Sequence, residues 1–202
     1  MIVRAVIIGL VRVLTGVRAR WTTGEPSMTQ RIYFANHTSN LDAVVVWAAL
    51  PPVLRKITRP VAAQDYWLKG PVRRYLASHV FRAVLIERKK VTVKTNPLAP
   101  MLAALDEGSS LIIFPEGGRM DGAELSPFKS GIYHLASHRP QVEFVPAWID
   151  NVNRVLPKGE FLPVPMLGNV TMGAGFKLAA DEKKEAFLER ARLALEALRK
   201  KS

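Results

Sequence analysis

The stretch RIYFANHTSNLDAVVVWAAL, residues 31–50, sets the architecture of this chain. Its first five residues, RIYFA, are dominated by β-branched and aromatic types and read as a strand. From Asn40 to Leu50 the chain reads as a helix, stopped by Pro51 and Pro52. Asn36, Thr38, Ser39 and Asn40 lie between as turn and cap residues. A strand that turns directly into a helix is the repeating unit of an α/β fold.

His37 and Asp42 flank that turn. On one helix a spacing of five would put their side chains about 140° apart. They meet if His37 stays in the turn while Asp42 occupies the first helical turn, where the helix N-terminus favours its negative charge. A carboxylate bonded to one ring nitrogen sets the tautomer and leaves the other nitrogen as a base. Taken alone, the pair reads more simply as loop polarity and a capping carboxylate.

Outward from this stretch the alternation continues. TRPVAA (58–63) predicts a short strand, GPVRRYLASHVF (70–81) a helix with Pro71 in its first turn, and AVLIE (83–87) a strand. In NPLAPMLAALDEG (96–108) Asn96 caps a helix, Pro97 takes its first position and Gly108 supplies a left-handed stop. SLIIF (110–114) reads as a buried strand, SGIYHLASH (130–138) as a helix and VEFVPAWI (142–149) as a strand. The dipeptide Val145-Pro146 implies that this last strand lies at an edge or bends. NVTMGAGF (169–176) reads as a further strand. From Asp181 to Lys200 the chain is an amphipathic helix, with Phe187, Ala191, Ala194, Leu195 and Leu198 on one face and Glu196 paired with Lys200. No repeat, low-complexity tract or Pro/Gly linker divides the 202 residues, so one α/β domain is expected.

Two further clusters stand at predicted strand ends. In LIIFPEGGRM (111–120) an apolar strand runs into Pro115, Glu116, Gly117, Gly118 and Arg119. Glycines let backbone amides approach an anion, and a guanidinium grips phosphate with a planar fork. Lys129 follows as a second cation, outside any Walker order. The competing reading is a tight turn with a solvated arginine. In FRAVLIERKK (81–90) Glu87 and Arg88 emerge at the carboxyl end of a strand, where α/β sheets bind ligands; a surface charge cluster is the alternative. His134 and His138, four apart, lack a nearby carboxylate motif and read as structural or exposed.

Composition narrows the chemistry. Without cysteine there is no disulfide, thiolate nucleophile or thiolate metal ligand. G-x-S-x-G, H-E-x-x-H and G-x-G-x-x-G are all missing. The net charge of +12 draws anions: nucleic acid, anionic lipid or phosphorylated small molecules. The tryptophans and tyrosines are scattered through apolar segments, which disfavours a nucleic-acid surface built from interleaved aromatic and basic residues.

The N-terminal MIVRAVIIGLVRVLTGVRARW breaks its apolar run with arginines, and its longest charge-free stretch before Arg18 is seven residues. A bilayer span needs about 20. Arg4, Arg12, Thr15 and Arg18 share one helical arc, the pattern of an interfacial helix with arginines toward the headgroups. A helix packed on the protein body is the alternative.

The blocks Asn36-His37 with Asp42, Phe81 to Arg88, Phe114-Pro115-Glu116-Gly117 with Arg119, and Val145-Pro146, in this order, resemble the glycerophospholipid acyltransferases of the lysophosphatidic acid type. The family usually has Thr or Ser where Gly118 stands, Asp where Glu87 stands and a small residue where Arg82 stands. The resemblance implies a single α/β acyltransferase-type domain at 23–202, with a mixed, largely parallel sheet flanked by helices. Residues 1–22 would be the N-terminal amphipathic, interfacial membrane helix. It implies acyl transfer from acyl-CoA or acyl carrier protein, as co-substrate, to a lysophospholipid hydroxyl. His37 would be the base and Asp42 its orienting partner; Arg88, Gly117, Gly118, Arg119 and Lys129 would bind the acceptor, with Glu116 ordering that loop or holding the acceptor's hydroxyls. No metal or other cofactor is implied. The expected partners are an anionic membrane surface, the lysophospholipid and the acyl donor, at the cytoplasmic face of the membrane. Glycerol-3-phosphate or another lysolipid as acceptor, a non-catalytic lipid carrier, and a basic anion- or nucleic-acid-binding protein are the alternatives.

Overall fold

The computed structural model describes residues 2–23, 26–88, 92, 95–119, 124–150 and 168–199. The described elements are helix α1 (Ile2–Thr15), strand β1 (Ala19–Trp21), β2 (Arg31–Ala35), α2 (Asp42–Ala49), α3 (Pro52–Ile57) and β3 (Thr58–Ala63). Then come α4 (Gln64–Trp67), α5 (Pro71–Tyr75) running into a π-helical turn (Leu76–Val80), β4 (Val84–Ile86), α6 (Leu98–Asp106) and β5 (Ser110–Ile113). Helix α7 (Gly131–His138), β6 (Glu143–Asp150), β7 (Asn169–Met172) and α8 (Lys184–Arg199) complete them.

One sheet runs β1-β7-β6-β2-β5-β3-β4. Every ladder is parallel except β6 with β7. This is the mixed, largely parallel α/β sheet expected from the alternation. Strand side chains point alternately to its two faces. Tyr33, Ala35, Ile112, Val145 and Ala147 face the layer built by α1, α2 and the α5 turn, whereas Ile32, Phe34, Leu111, Ile113 and Phe144 face α6, α7 and α8. Strand β2, paired with β5 and β6, is buried on both faces, which is why its run is apolar without a polar stripe.

Local punctuation behaves as read. The Asn96 side-chain oxygen accepts the Leu98 N–H at 3.0 Å, and Gly108 takes φ +78 just beyond α6. Three readings are refined, and a fourth, Glu196 with Lys200, falls outside the described residues. Pro52 does not merely stop α2; it occupies the first position of α3, where its missing N–H costs nothing. The 70–81 helix changes to a π turn, closed by Phe81 N–H to Leu76 O at 2.9 Å, before Arg82 at φ +51 turns the chain into β4. Glu196 pairs with Arg192 at 3.0 Å. Strand β6 is not an edge. Pro146 sits inside the sheet because Ala147 pairs with Met172 but Phe144 with Phe176, leaving one extra residue opposite a proline that has no N–H to give. A Cβ on Gly173 would stand 2.8 Å from the Pro146 ring, so the glycine makes room there.

The N-terminal segment differs most. Its helix ends at Thr15, and residues 19–21 add a strand to the sheet beside β7. Two arginines of its arc reach the protein, although Arg12 and Arg18 stay largely exposed: an Arg4 Nη donates to the His79 carbonyl at 2.8 Å and an Arg12 Nη to the Ala48 carbonyl at 3.4 Å. Ile7, Ile8 and Val11 pack on the core beside them, and Val3, Val6, Leu10 and Val13 form the exposed stripe.

Candidate active site

The parallel strands β2, β3, β4 and β5 end along one edge of the sheet, and the candidate residues follow those ends. His37 comes two residues after β2, and Asp42 opens α2. The turn before that helix is tied by two side chains: Ser39 Oγ accepts the Leu41 N–H at 3.3 Å, while Asp42 Oδ2 accepts the Ser39 N–H at 2.7 Å and the Thr38 N–H at 2.6 Å. The two backbone amides hold the carboxylate in place. His37 Nδ1 lies 2.9 Å from the same oxygen. A carboxylate only accepts, so Nδ1 carries the proton and Nε2 keeps its lone pair. Asp42 is fully buried, and the imidazole, partly exposed, stacks on Phe114 with ring centroids 4.4 Å apart.

The end of β2 is secured by Asn36. Its side chain donates to the Ile149 carbonyl at 3.0 Å and accepts the Ile149 N–H at 2.8 Å, so it pairs with β6 as a strand residue would. The sequence shows this asparagine only as a turn residue, since its partner is 113 positions away. The turn after β5 is tied to the same place. Glu116 Oε1 accepts the His37 backbone N–H at 2.9 Å and Oε2 accepts the Ser126 N–H at 3.0 Å. Burial pushes the Glu116 carboxyl above the usual range, and these two N–H bonds partly offset it.

His37 opens on a cavity of about 610 Å³. Arg88, Gly117, Gly118, Arg119 and Lys129 also line it, so six of the eight sequence-derived candidates meet at one concavity. The other two, Asp42 and Glu116, stand behind its wall and hold His37, Asp42 through the ring and Glu116 through the backbone. Of the two roles expected for Glu116, the geometry agrees with ordering of the loop: both oxygens are turned to backbone amides. Gly117 takes φ +74, and the Lys129 stem lies where its Cβ would be, 3.2 Å away. Gly118 has no such constraint, and a Cβ there meets nothing within 4 Å. Arg88 is held by Asp65 at 3.2 Å, an unforeseen partner. Among the described residues no carboxylate pairs with Arg119 or Lys129 and no His/Cys/Asp/Glu cluster could hold a metal.

The lining also includes the apolar Val44, Trp67, Phe81, Met101 and Ile113. One concavity thus brings together a base held by a carboxylate, cationic side chains and apolar surface.

The sequence profile of the acyltransferase family matches residues 22–150. Curated relatives include the 1-acyl-sn-glycerol-3-phosphate acyltransferase of Limnanthes alba, 34% identical over 167 residues that cover 78% of this chain and 55% of that protein. The Escherichia coli K12 protein of the same name is 30% identical over 127 residues, 59% of this chain and 47% of its own. The chain spans about half the length of these relatives. Among solved structures, the 1-acyl-sn-glycerophosphate (LPA) acyltransferase PlsC of Thermotoga maritima shares the fold, with a TM-score of 0.74 at 17% identity over 98% of this chain and 79% of that one. With the profile covering well over half of its length, the chain belongs to the acyltransferase family.

Proposed function

We propose that this protein transfers a fatty acyl group from an acyl thioester, acyl-CoA or acyl carrier protein, to the hydroxyl of a lysophospholipid such as 1-acyl-glycerol-3-phosphate. The observation that carries the reading is the 2.9 Å contact of His37 Nδ1 with Asp42 on a cavity that also presents Arg88, Arg119 and Lys129. Nε2 of His37 removes the acceptor's hydroxyl proton as the oxygen attacks the thioester carbonyl. The C–S bond breaks, and the imidazolium returns the proton to the departing thiolate. Asp42 stabilises the imidazolium while it lasts. The acceptor phosphate sits against the guanidinium groups, Lys129 and the Gly117–Gly118 backbone, and the apolar lining receives acyl chain. Neither a metal nor a covalent acyl-enzyme is required.

Lipid substrates bring the enzyme to a membrane surface. Among the described residues no helix is long and apolar enough to cross a membrane. The exposed stripe Val3, Val6, Leu10 and Val13 supports peripheral insertion of α1. A thioester donor made in the cytoplasm puts the protein on that face.

Thiol release from acyl-CoA, followed with and without 1-acyl-glycerol-3-phosphate, tests the reading. Release that needs the acceptor, and that falls about 10²–10⁴-fold in His37→Ala, is expected. Acceptor-independent release, or unchanged turnover in the variant, overturns it. A panel of glycerol-3-phosphate and other lysolipids, scored by product mass, assigns the acceptor.

A further inference from the structure

We infer that Leu68–Tyr75, the turn after α4 and all of α5, is a second membrane contact that sets the cavity mouth on an anionic lipid surface. This rests on the proposed membrane-surface reading and extends it from α1 to a segment next to the site.

Leu68, Val72 and Tyr75 are exposed, and Val72, at 68%, is more exposed than any other large hydrophobic residue named here except Val13. Lys69, Arg73 and Arg74 stand exposed between them. From Tyr66 to Arg82 there are four Lys or Arg and no Asp or Glu. Aliphatic side chains set among cations, without acids, suit the boundary of acyl chains and anionic headgroups. An acidic protein would satisfy the cations but not the isolated aliphatics.

Residues 1–82 hold twelve Lys/Arg and three Asp/Glu; Arg31 and Arg59 among them pair with Glu143 and Glu107. Of the three acids in 1–82, Asp42 is buried and Asp65 pairs with Arg88. The segment is contiguous with both structures it would serve. Tyr66 and Trp67, just before Leu68, line the cavity. Arg4 of α1 bonds the His79 carbonyl in the turn that continues α5. The exposed stripe of α1 and the α5 segment thus belong to one helical layer. The opposite layer differs: α8 exposes charges of both signs, Lys184 and Arg199 with Glu185 and Glu189, and a single large apolar residue, Leu193.

The cysteine-free chain permits a direct test. Single cysteines replace Val72, Val6 or Leu193 and carry an environment-sensitive dye. They meet phosphatidylcholine vesicles with or without phosphatidylglycerol. A blue shift at 72 and 6, and none at 193, on the anionic vesicles is expected. A shift at 6 but not at 72 overturns this inference and leaves α1 docking intact. A shift at neither overturns both. A shift at 72 without vesicles that grows with protein concentration makes the face a contact between copies and also overturns it. Reversing two charges, Lys69→Glu with Arg74→Glu, should weaken anionic-vesicle binding about tenfold or more. Turnover of a short-chain, vesicle-free acceptor should stay at the wild-type level. Unchanged vesicle affinity overturns the role of these cations. Absence of turnover in the wild-type chain on every acceptor bears instead on the catalytic reading.

Discussion

Glu116 Oε1 accepts the backbone N–H of His37 at 2.9 Å, which joins the turn after β5 to the turn after β2. The carboxyl is 4% exposed, and its other oxygen accepts the Ser126 N–H. Two turns that carry the candidate chemistry are therefore positioned by one side chain that does not itself line the cavity.

Glu116→Gln keeps one acceptor oxygen and sets an NH₂ against the second amide. A stability loss of about 1–3 kcal/mol is expected in urea titration, with a fall in turnover as His37 shifts. The pH dependence has a definite sign. The folded carboxyl is raised by burial, so the folded state holds its proton where the unfolded chain has released it. The stability contributed by that proton is complete below the unfolded value and is lost as pH rises through the folded one. The variant lacks this slope, so its deficit should be largest at the acid end and narrow as pH rises past the ordinary carboxylate range.

Asp42 performs a structural and an electrostatic task, and two substitutions separate them. Asp42→Asn can keep one oxygen facing Thr38, Ser39 and His37, with its amide placed where Oδ1 is buried without a described partner. It should fold but lose about 10²–10⁴-fold in kcat, because no charge remains to stabilise the imidazolium. Asp42→Ala leaves two backbone amides without an acceptor and should also lose at least about 2 kcal/mol. Parallel kcat and denaturation measurements distinguish the two.

The adjacent glycines should answer differently to alanine. Gly117→Ala forces a left-handed φ on a residue with a Cβ and presses on Lys129, so about 1–2 kcal/mol and weaker acceptor binding should be lost. Gly118→Ala meets open space and should change stability by less than about 0.5 kcal/mol. Thermal melts and acceptor KM values check both.

Arg82 adopts φ +51. Arg82→Gly removes that strain, while the backbone carbonyl that Arg59 bonds at 2.7 Å remains. A gain of up to about 1 kcal/mol is expected in the urea midpoint. A loss would show that the arginine side chain contributes more than its backbone costs.

Most element positions were legible because their signals are local. Asn96, Gly108 and Pro71 act within a turn of where they stand. The His37–Asp42 contact was legible for the same reason, since a strand, a turn and a capped helix leave little freedom over five residues. The gathering of Arg88 and Arg119 with His37 followed from a general property of parallel sheets, whose strand ends share one edge, whereas Lys129 reaches the cavity through its backbone bond to Pro115. The Arg88–Asp65 pair and the Asn36 bridge to Ile149 were not legible, because no periodicity encodes a partner that far along the chain.

The sequence by itself determined an α/β alternation, the caps and stops, and a histidine within reach of an aspartate, all set by local sterics and hydrogen bonding. Only the tertiary structure decided which way α1 turns and where Pro146 lies. A helical wheel assigns arginines to an arc but not to solvent, because a guanidinium can find backbone carbonyls such as those of His79 and Ala48 instead of water. A proline inside a sheet depends on a bulge and a glycine in the neighbouring strand, and strand neighbours are chosen by the packing of the whole chain.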